Sequence, residues 1–239
     1  FEIAYDTGFC RMSNINSLVF VDIGSKNNTS NDSKASLFAF EFFYNKQKII
    51  SNLGEFPNSS LRYAKNSLAS SAAHSTLNID DRNNIDLLGK RKTKVLNIKY
   101  DKIENGNLLD IMHSGYEEIY GVHHRRQIFL SQKKSELRGR DEIINIENIG
   151  TIPKSANIRF HVSPEIDLIK TRSGSLLLNH KKGFTWKFSV KNYTIFTQDS
   201  MMFTSKGPLK CKQIIVNVKL EKIRAYKNIS CDWSFVLQK

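Results

Sequence analysis

The sequence predicts an all-β protein, an antiparallel β-sandwich with at most one short helix. Apolar residues recur at every second position over 158–162, 184–190, 214–220 and 233–238, with mostly polar residues between them. This period of two places one face of each strand on a core and the other face toward solvent. Glycine-containing turn signals recur between these segments, and no strand–helix repeat of the kind that builds a parallel sheet is present.

The remaining elements are predicted from shorter patterns along the chain. The chain opens directly into strand-like sequence, and the polar stretch 25–33 indicates an exposed loop. One helix is expected at 58–68, where Leu61 and Leu68 fall on the same face. Further strands are expected at 17–23, 36–44, 46–52, 75–80, 94–103, 107–112, 124–131 and 175–180.

The length and apolar content are those of a globular protein with a sizeable core. The chain has 239 residues, of which 40% are hydrophobic. At about 100–200 residues per domain, this length allows one large domain or two small ones. The continuous strand pattern favours a single domain over 1–239, and the start at Phe1 without a methionine suggests a fragment of a longer protein. The core is expected to contain Trp186, Phe188, Phe160, Val216 and Trp233.

The charge balance indicates an acidic polymer as partner. Lys and Arg total 36 against 23 Asp and Glu, a formal net charge of +13. Nucleic acid is not expected as that polymer, because the basic residues are scattered and are not interleaved with stacking aromatics. Neither a glycine-rich dinucleotide motif nor a P-loop is present, so no nucleotide cofactor is expected. No apolar run approaches the roughly 18–20 residues that span a bilayer.

The cysteines and histidines carry no local metal signature. Cys10, Cys211 and Cys231 lie far apart, which leaves one disulfide plus a free thiol, or three free thiols. The six histidines include no HxH or HExxH pattern. Strand alternation sends His124 to the face opposite Arg125. The remaining histidines have other settings: His123 shares the face of Arg125, His161 shares a face with Arg159, and His180 is expected to be solvated in a lysine-rich turn.

Short segments, taken in order over nearly the whole chain, resemble a known family. They lie at 8–12, 38–42, 49–54, 72–83, 113–116, 121–131, 137–141, 158–164 and 213–216. The set includes His113-Ser-Gly-Tyr116 and Gly121-Val-His-His-Arg-Arg126. Together they resemble the C-terminal β-sheet domain of heparinase II/III-like proteins, most of all the alphaproteobacterial members.

The resemblance implies a two-part parent protein in which an N-terminal α/α toroid precedes this domain. Its characterised members are polysaccharide lyases that cleave uronate-containing chains by β-elimination. Such a site needs cations or hydrogen-bond donors to neutralise the uronate carboxylate, a base for the C5 proton and an acid for O4. The resemblance therefore implies an acidic polysaccharide and the toroid as partners. The sequence leaves the compartment open between a bacterial periplasm or cell envelope and the cytoplasm.

The sequence departs from the family where some members bind zinc. Those members carry His-x-His where this chain has Asp32-Ser-Lys34, and an aspartate where it has Asn52. Only His74 of that set remains, and one imidazole with one neutral amide does not hold Zn²⁺. We therefore expect no metal and no cofactor.

The candidate site combines His74, Asn52 and Lys34 with residues from other histidine-containing turns. His74 is the candidate catalytic residue. Of His124 and Arg125, at most one is expected to face the cleft, and the other to pair with a carboxylate such as Glu117 or Asp141. Two alternatives remain open: a non-catalytic carbohydrate-binding or structural module, and a purely structural role for His74 and Tyr116 as buried hydrogen-bond partners. The candidate substrate-binding residues are His113, Tyr116, His124, Arg125, Asn52 and Lys34.

Overall fold

A computed structural model describes residues 2–24, 34–54 and 62–238 of the chain. Within these ranges the chain forms three short α-helices, α1 (Arg62–Ala69), α2 (Glu117–Tyr120) and α3 (Ile223–Tyr226), and a 3₁₀ helix (Ser71–Ala73). The strands are β1 (Ile3–Ala4), β2 (Phe9–Ser13), β3 (Ser17–Asp22), β4 (Phe40–Tyr44), β5 (Gln47–Ser51), β6 (Leu77–Ile79), β7 (Val95–Ile103), β8 (Gly106–Tyr116), β9 (Val122–Ser131), β10 (Glu136–Asn145), β11 (Ser155–Val162), β12 (Ile166–Lys170), β13 (Leu176–His180), β14 (Phe184–Val190), β15 (Ile195–Thr204), β16 (Gly207–Lys219) and β17 (Asn228–Gln238).

The strands build two antiparallel sheets that stack as a sandwich. The first sheet has the order β1-β2-β3-β4-β5-β11-β16-β15, with β6 also paired to β11. The second sheet has the order β12-β13-β14-β17-β10-β9-β8-β7. Neighbouring strands are mostly joined by tight hairpins. Between β4 and β5, for example, Asn45 and Lys46 both have positive φ, as a two-residue type I′ turn requires.

The core lies between the two sheets and is rich in aromatic rings. Phe40 of the first sheet stacks on Trp233 of the second, with ring centroids 5.4 Å apart. Phe42 meets Trp186 edge to face at 4.9 Å. The prediction of the core from alternation is confirmed, because all five predicted residues are almost or completely buried: Trp186, Phe188, Phe160, Val216 and Trp233.

The structure differs from the sequence expectation in several local elements. The single-turn helices α2 and α3 follow strand ends, and four residues carry too little periodicity to be read from sequence. The expected strand at 36–44 begins only at Phe40, because Phe38 has a φ of +63° that interrupts an extended backbone. The predicted loop 25–33 and the start of the predicted helix at 58–61 lie outside the described residues.

Two expectations about single residues are resolved by the packing. His180 is buried and not solvated, since its ring stacks on Phe184 at 4.6 Å and its Nδ1 accepts the Lys182 N–H. All three cysteines are buried free thiols, so the structure has the second of the two expected alternatives and no disulfide joins Cys10, Cys211 or Cys231. Among the described residues, no helix is both long and apolar enough to cross a membrane.

Candidate functional site

A cavity of about 690 Å³ opens on the outer face of the first sheet, the face turned away from the core. Alternation along β2 and β3 creates it, because Cys10 and Val21 point into the core while Arg11 and Phe20 point outward. We call this space the outer-face cavity. Its lining includes Arg11, Phe20, Asp22, Lys34, Glu41, Asn52 and His74.

His74 ends the 3₁₀ helix and presents one ring nitrogen to the outer-face cavity. Its Nδ1 lies 2.7 Å from the Ser70 carbonyl oxygen. A carbonyl only accepts, so Nδ1 carries the proton and Nε2 keeps its lone pair. Burial, with a smaller contribution from the nearby Lys34 charge, lowers the pKa of His74 to about 4. The imidazole is therefore neutral at neutral pH and acts as an acceptor.

Asn52 follows β5 and, in contrast to His74, offers hydrogen-bond donors. Its Oδ1 accepts the backbone N–H of Ser75 at 2.8 Å, which fixes the orientation of the amide. The Nδ2 group, with two N–H donors, is consequently available to the cavity that Asn52 lines. Asn52 and His74 thus bring a donor and an acceptor to the same space.

Charges of both signs surround this pair. Lys34 is part of the lining, which also includes the carboxylate side chains of Asp22 and Glu41. Asp22 accepts hydrogen bonds from Ser36 Oγ and from a backbone N–H, and burial raises its pKa. Glu41 pairs with Lys48 at 3.1 Å. Both carboxylates therefore have partners of their own within the fold.

The outer-face cavity does not fit the zinc ion that some members of the resembling family hold. His74 supplies one imidazole nitrogen, while the Asn52 oxygen already accepts the Ser75 N–H. Lys34 adds a positive charge, which repels a cation. No group of three histidine, cysteine or acidic side chains that could ligate a metal occurs within the described ranges.

His113 and His124, two predicted site residues, lie in the core and have no access to the outer-face cavity. Both rings are fully buried. His113 Nδ1 accepts the Gly115 N–H at 3.0 Å, so its Nε2–H donates to His124 Nδ1 at 3.1 Å. His124 Nε2–H then donates to Asp141 Oδ1 at 2.7 Å. Burial lowers the pKa of both histidines, and both are neutral in this chain of hydrogen bonds.

The structure also corrects the expected placement of Tyr116 and Arg125. Tyr116 is fully buried, and its hydroxyl donates to the Leu77 carbonyl at 3.0 Å, as the structural alternative expects. Arg125 lies on the opposite face of β9 from His124 and pairs with Asp110 and Glu142. The sequence-predicted set is therefore split: Lys34, Asn52 and His74 share the outer-face cavity, and the other four residues do not line it.

Sequence reasoning missed the cavity residues that strands β2 to β4 contribute. Arg11 and Glu41 fall within segments that carry the family resemblance, but neither they nor Asp22 were singled out as site residues. Their signal is their position opposite buried neighbours in alternating strands. Identifying them requires knowing which of the two outer faces of a sandwich forms a cavity. A single strand does not carry that information.

Comparison with known proteins agrees with the architecture described above. Residues 3–234 match the family described as heparinase II/III-like, C-terminal. No curated protein matches the sequence.

Three solved structures show the same fold. The heparinase III BT4657 gene product superposes with a TM-score of 0.76 at 14% identity over 99% of this chain and 36% of its own. The heparan sulfate lyase HepC from Pedobacter heparinus gives 0.76 at 12% identity, over 98% of this chain and 36% of its own. A further heparinase III superposes with a TM-score of 0.70 at 16% identity, over 96% of this chain and 35% of its own.

The chain thus spans little more than a third of each of these solved proteins. At such low identities the superpositions establish the fold, and the family match over nearly the whole length establishes the kinship. The chain belongs to the family of heparinase II/III-like C-terminal domains.

Proposed function

We propose that this chain forms one wall of a cleft in which a longer protein binds an acidic, uronate-containing polysaccharide and cleaves it by β-elimination. The observation that carries the proposal is the convergence of Lys34, Asn52 and His74 on the outer-face cavity. The solved relatives, one of them a heparan sulfate lyase, are almost three times longer than the aligned domain. The other wall would come from the rest of the protein, by resemblance an N-terminal α/α toroid.

The chemistry of β-elimination assigns a role to the two nitrogen donors. The C5–H and C4–O4 bonds break, a C4=C5 double bond forms, and O4 takes up a proton. The C5 proton becomes acidic enough only when the adjacent carboxylate is neutralised by cations or hydrogen-bond donors. The Lys34 ammonium and the Asn52 Nδ2 group are donors of this kind and border the same space.

His74 suits the role of acceptor toward the sugar. Its Nε2 lone pair can take a hydrogen bond from a hydroxyl or the C5 proton, while its Nδ1–H is committed to the Ser70 carbonyl. A neutral imidazole held in this tautomer has no proton at Nε2 to give to O4. Unless Nε2 first takes the C5 proton and then passes it to O4, the acid that protonates O4 would come from the other wall of the cleft.

A non-catalytic carbohydrate-binding module is the second candidate. Two observations favour it: Asp22 and Glu41 reduce the net positive charge of the outer-face cavity, and the low pKa of His74 makes it a weak base. Binding without cleavage would need the same donors and acceptors. The two candidates differ in whether an unsaturated product forms.

The test uses the full-length protein that contains this chain, with heparan sulfate and alginate as substrates. New ultraviolet absorbance from unsaturated uronate is expected, and Lys34→Gln and Asn52→Asp should each reduce both rate and binding. Asn52→Asp preserves shape while placing a carboxylate opposite the uronate. Lys191→Gln serves as the matched control and should change neither, because Lys191 is exposed and lies directly after β14 of the second sheet.

Each outcome separates the candidates. Binding that depends on Lys34 without unsaturated product supports the binding module. Binding that is indifferent to Lys34→Gln and Asn52→Asp overturns both candidates. The 239-residue chain alone is expected not to cleave, because acid, base and carboxylate donors must converge on one sugar ring.

A further inference from the structure

Arg126 is fully buried in the core and touches both segments that carry the cavity residues. It extends from β9 in the second sheet toward the first. The Nη1 group of Arg126 donates to the carbonyl of Phe38 at 2.7 Å and to the carbonyl of Ser75 at 2.9 Å. Residue 38 follows the segment of Lys34, and Ser75 directly follows His74. One guanidinium group therefore holds two chain segments that meet at the outer-face cavity.

Ser75 links this contact to Asn52. Its N–H donates to Asn52 Oδ1 at 2.8 Å, and its hydroxyl donates to the Ser51 carbonyl and accepts the His161 N–H. With Arg126 on its carbonyl, every polar group of this completely buried residue is used. A shift of Ser75 would therefore move Asn52 as well as the neighbouring His74.

Phe38 adopts a backbone conformation that its neighbours must maintain. Its φ of +63° lies in the left-handed region, which is unfavourable for a bulky side chain. The ring packs against His113 and His124, with centroids 4.7 and 5.7 Å away. The same backbone directs the Phe38 carbonyl to Arg126. The path of the chain from Lys34 into β4 thus depends on this cluster.

Asp141 fixes the guanidinium from the other side. It accepts from Arg126 Nε at 2.7 Å and from Nη2 at 3.0 Å, a bidentate pair. His124 Nε2 and Trp233 Nε1 donate to the same carboxylate at 2.7 and 2.8 Å. With four donors around the carboxylate, neither member of the ion pair can reorient without leaving a buried polar group unsatisfied.

We propose that Arg126 is a positioning residue for the outer-face cavity, setting the spacing between the Lys34 segment and the side that carries Asn52 and His74. The inference rests on the function proposed above, since it assigns a role to the spacing within that cavity. Lysine at position 126 would keep the charge, but it lacks the planar fork that spans one carboxylate and two carbonyls.

The experiment compares Arg126→Lys with wild type in the full-length protein. Turnover per folded molecule of heparan sulfate should fall about 10- to 100-fold, because misplacement of reacting groups by about 1 Å has effects of this size. Arg140→Lys is the matched control, as Arg140 also pairs bidentately with an aspartate, Asp232, but on the exposed face of the second sheet. It should retain wild-type turnover and KM.

A second variant applies if Arg126→Lys does not fold. Ser75→Ala removes the hydroxyl contacts to Ser51 and His161 and should lower kcat in the same direction, while Ser131→Ala, another buried serine, should not. Combining Arg126→Lys with Ser75→Ala should give less than the product of the two losses, since both act on the same segment.

The outcomes keep this inference distinct from the proposed function. If Arg126→Lys folds and keeps the wild-type kcat, the inference is overturned. If Arg126→Lys does not fold, an unchanged kcat in Ser75→Ala overturns it instead. If wild type cleaves no uronate polymer, the proposed function fails and crystal structures of wild type and variant decide the inference alone. A change of about 1 Å in the separation of Lys34 and His74 supports it, and an unchanged separation overturns it.

Discussion

The outer-face cavity and the buried cluster around Asp141 contain similar polar side chains. The two regions differ in whether the hydrogen-bonding groups of these side chains already have partners within the fold. In the cluster, Arg126, His124 and Trp233 all donate to one carboxylate, and solvent reaches none of them appreciably. In the cavity, His74 keeps a lone pair and Asn52 keeps two N–H donors. The polar groups around Asp141 are satisfied by the fold, whereas His74 and Asn52 retain capacity for a ligand.

This difference shows why residue type alone is a poor guide to function in this chain. Histidine occurs in both regions, and the deciding property is whether each ring nitrogen already has a partner. The two regions are also connected, since Arg126 belongs to the cluster and contacts Ser75 beside the cavity. Changes in the cluster should therefore act on stability and, through Arg126, on the cavity as well, whereas changes in the cavity should act mainly on binding.

The largest expected effect is the loss of the cluster's carboxylate. Asp141→Ala should lower the free energy of unfolding by about 3–5 kcal/mol, because it leaves Arg126 as an uncompensated buried charge. Denaturant unfolding measures this change. The matched control is Asp232→Ala, whose partner Arg140 is exposed, and it should cost no more than about 1 kcal/mol. Equal losses in the two variants would contradict the contrast between the regions.

The pH dependence of stability should follow the buried histidines. Burial depresses the pKa of His74 to about 4 and of His161 to about 3, and it lowers the pKa values of His113 and His124. The unfolded chain takes up protons below about pH 6.5, while the folded chain does not. The contribution of these histidines to stability should be constant above about pH 6.5 and should fall as the pH is lowered toward 4. A flat melting temperature between pH 7 and 4.5 would contradict this.

The cavity should respond in binding with little change in stability. His74→Ala in the full-length protein should weaken binding of an acidic polysaccharide by about 1–3 kcal/mol, the usual effect of removing one partner of a polar contact. Its melting temperature should fall only slightly, because Nε2 of His74 holds no part of the fold and the one lost contact, from Nδ1–H to the Ser70 carbonyl, contributes about 0.5–1.5 kcal/mol. Calorimetric titration and a thermal melt on one purified variant give both numbers. A markedly lower melting temperature with unchanged binding would assign His74 to the fold instead.

The smallest expected effect is that of a chelator. Purified protein should contain less than stoichiometric zinc, and the chelator should leave the melting temperature unchanged, because His74, Asn52 and Lys34 do not form a zinc site. Elemental analysis and a thermal melt with and without chelator measure this. A tightly bound metal coordinated by His74 would show that the prediction is wrong.

Much of the fold was predictable because strand alternation is local. The period of two identified the core positions of Phe160, Trp186 and Val216 directly. Strands β2, β10, β12 and β15 were not anticipated. In β12 and β15 many residues are exposed, and the patterns lack a clear apolar face. The site was only partly predictable. Lys34, Asn52 and His74 were grouped through the family resemblance, because nothing local in the sequence brings 34, 52 and 74 together.

The sequence by itself determined that the chain is an antiparallel sandwich and which residues of its clearly alternating strands face the core. Only the tertiary structure decided which polar residues have all their hydrogen-bonding groups occupied inside the fold. His113 and His124 sit in motifs that look functional, yet the pairing of β8, β9 and β10 joins them to Asp141 in the interior. The reason is physical: hydrogen-bond capacity is used up by partners far away in sequence, and only the packed sheets bring those partners together.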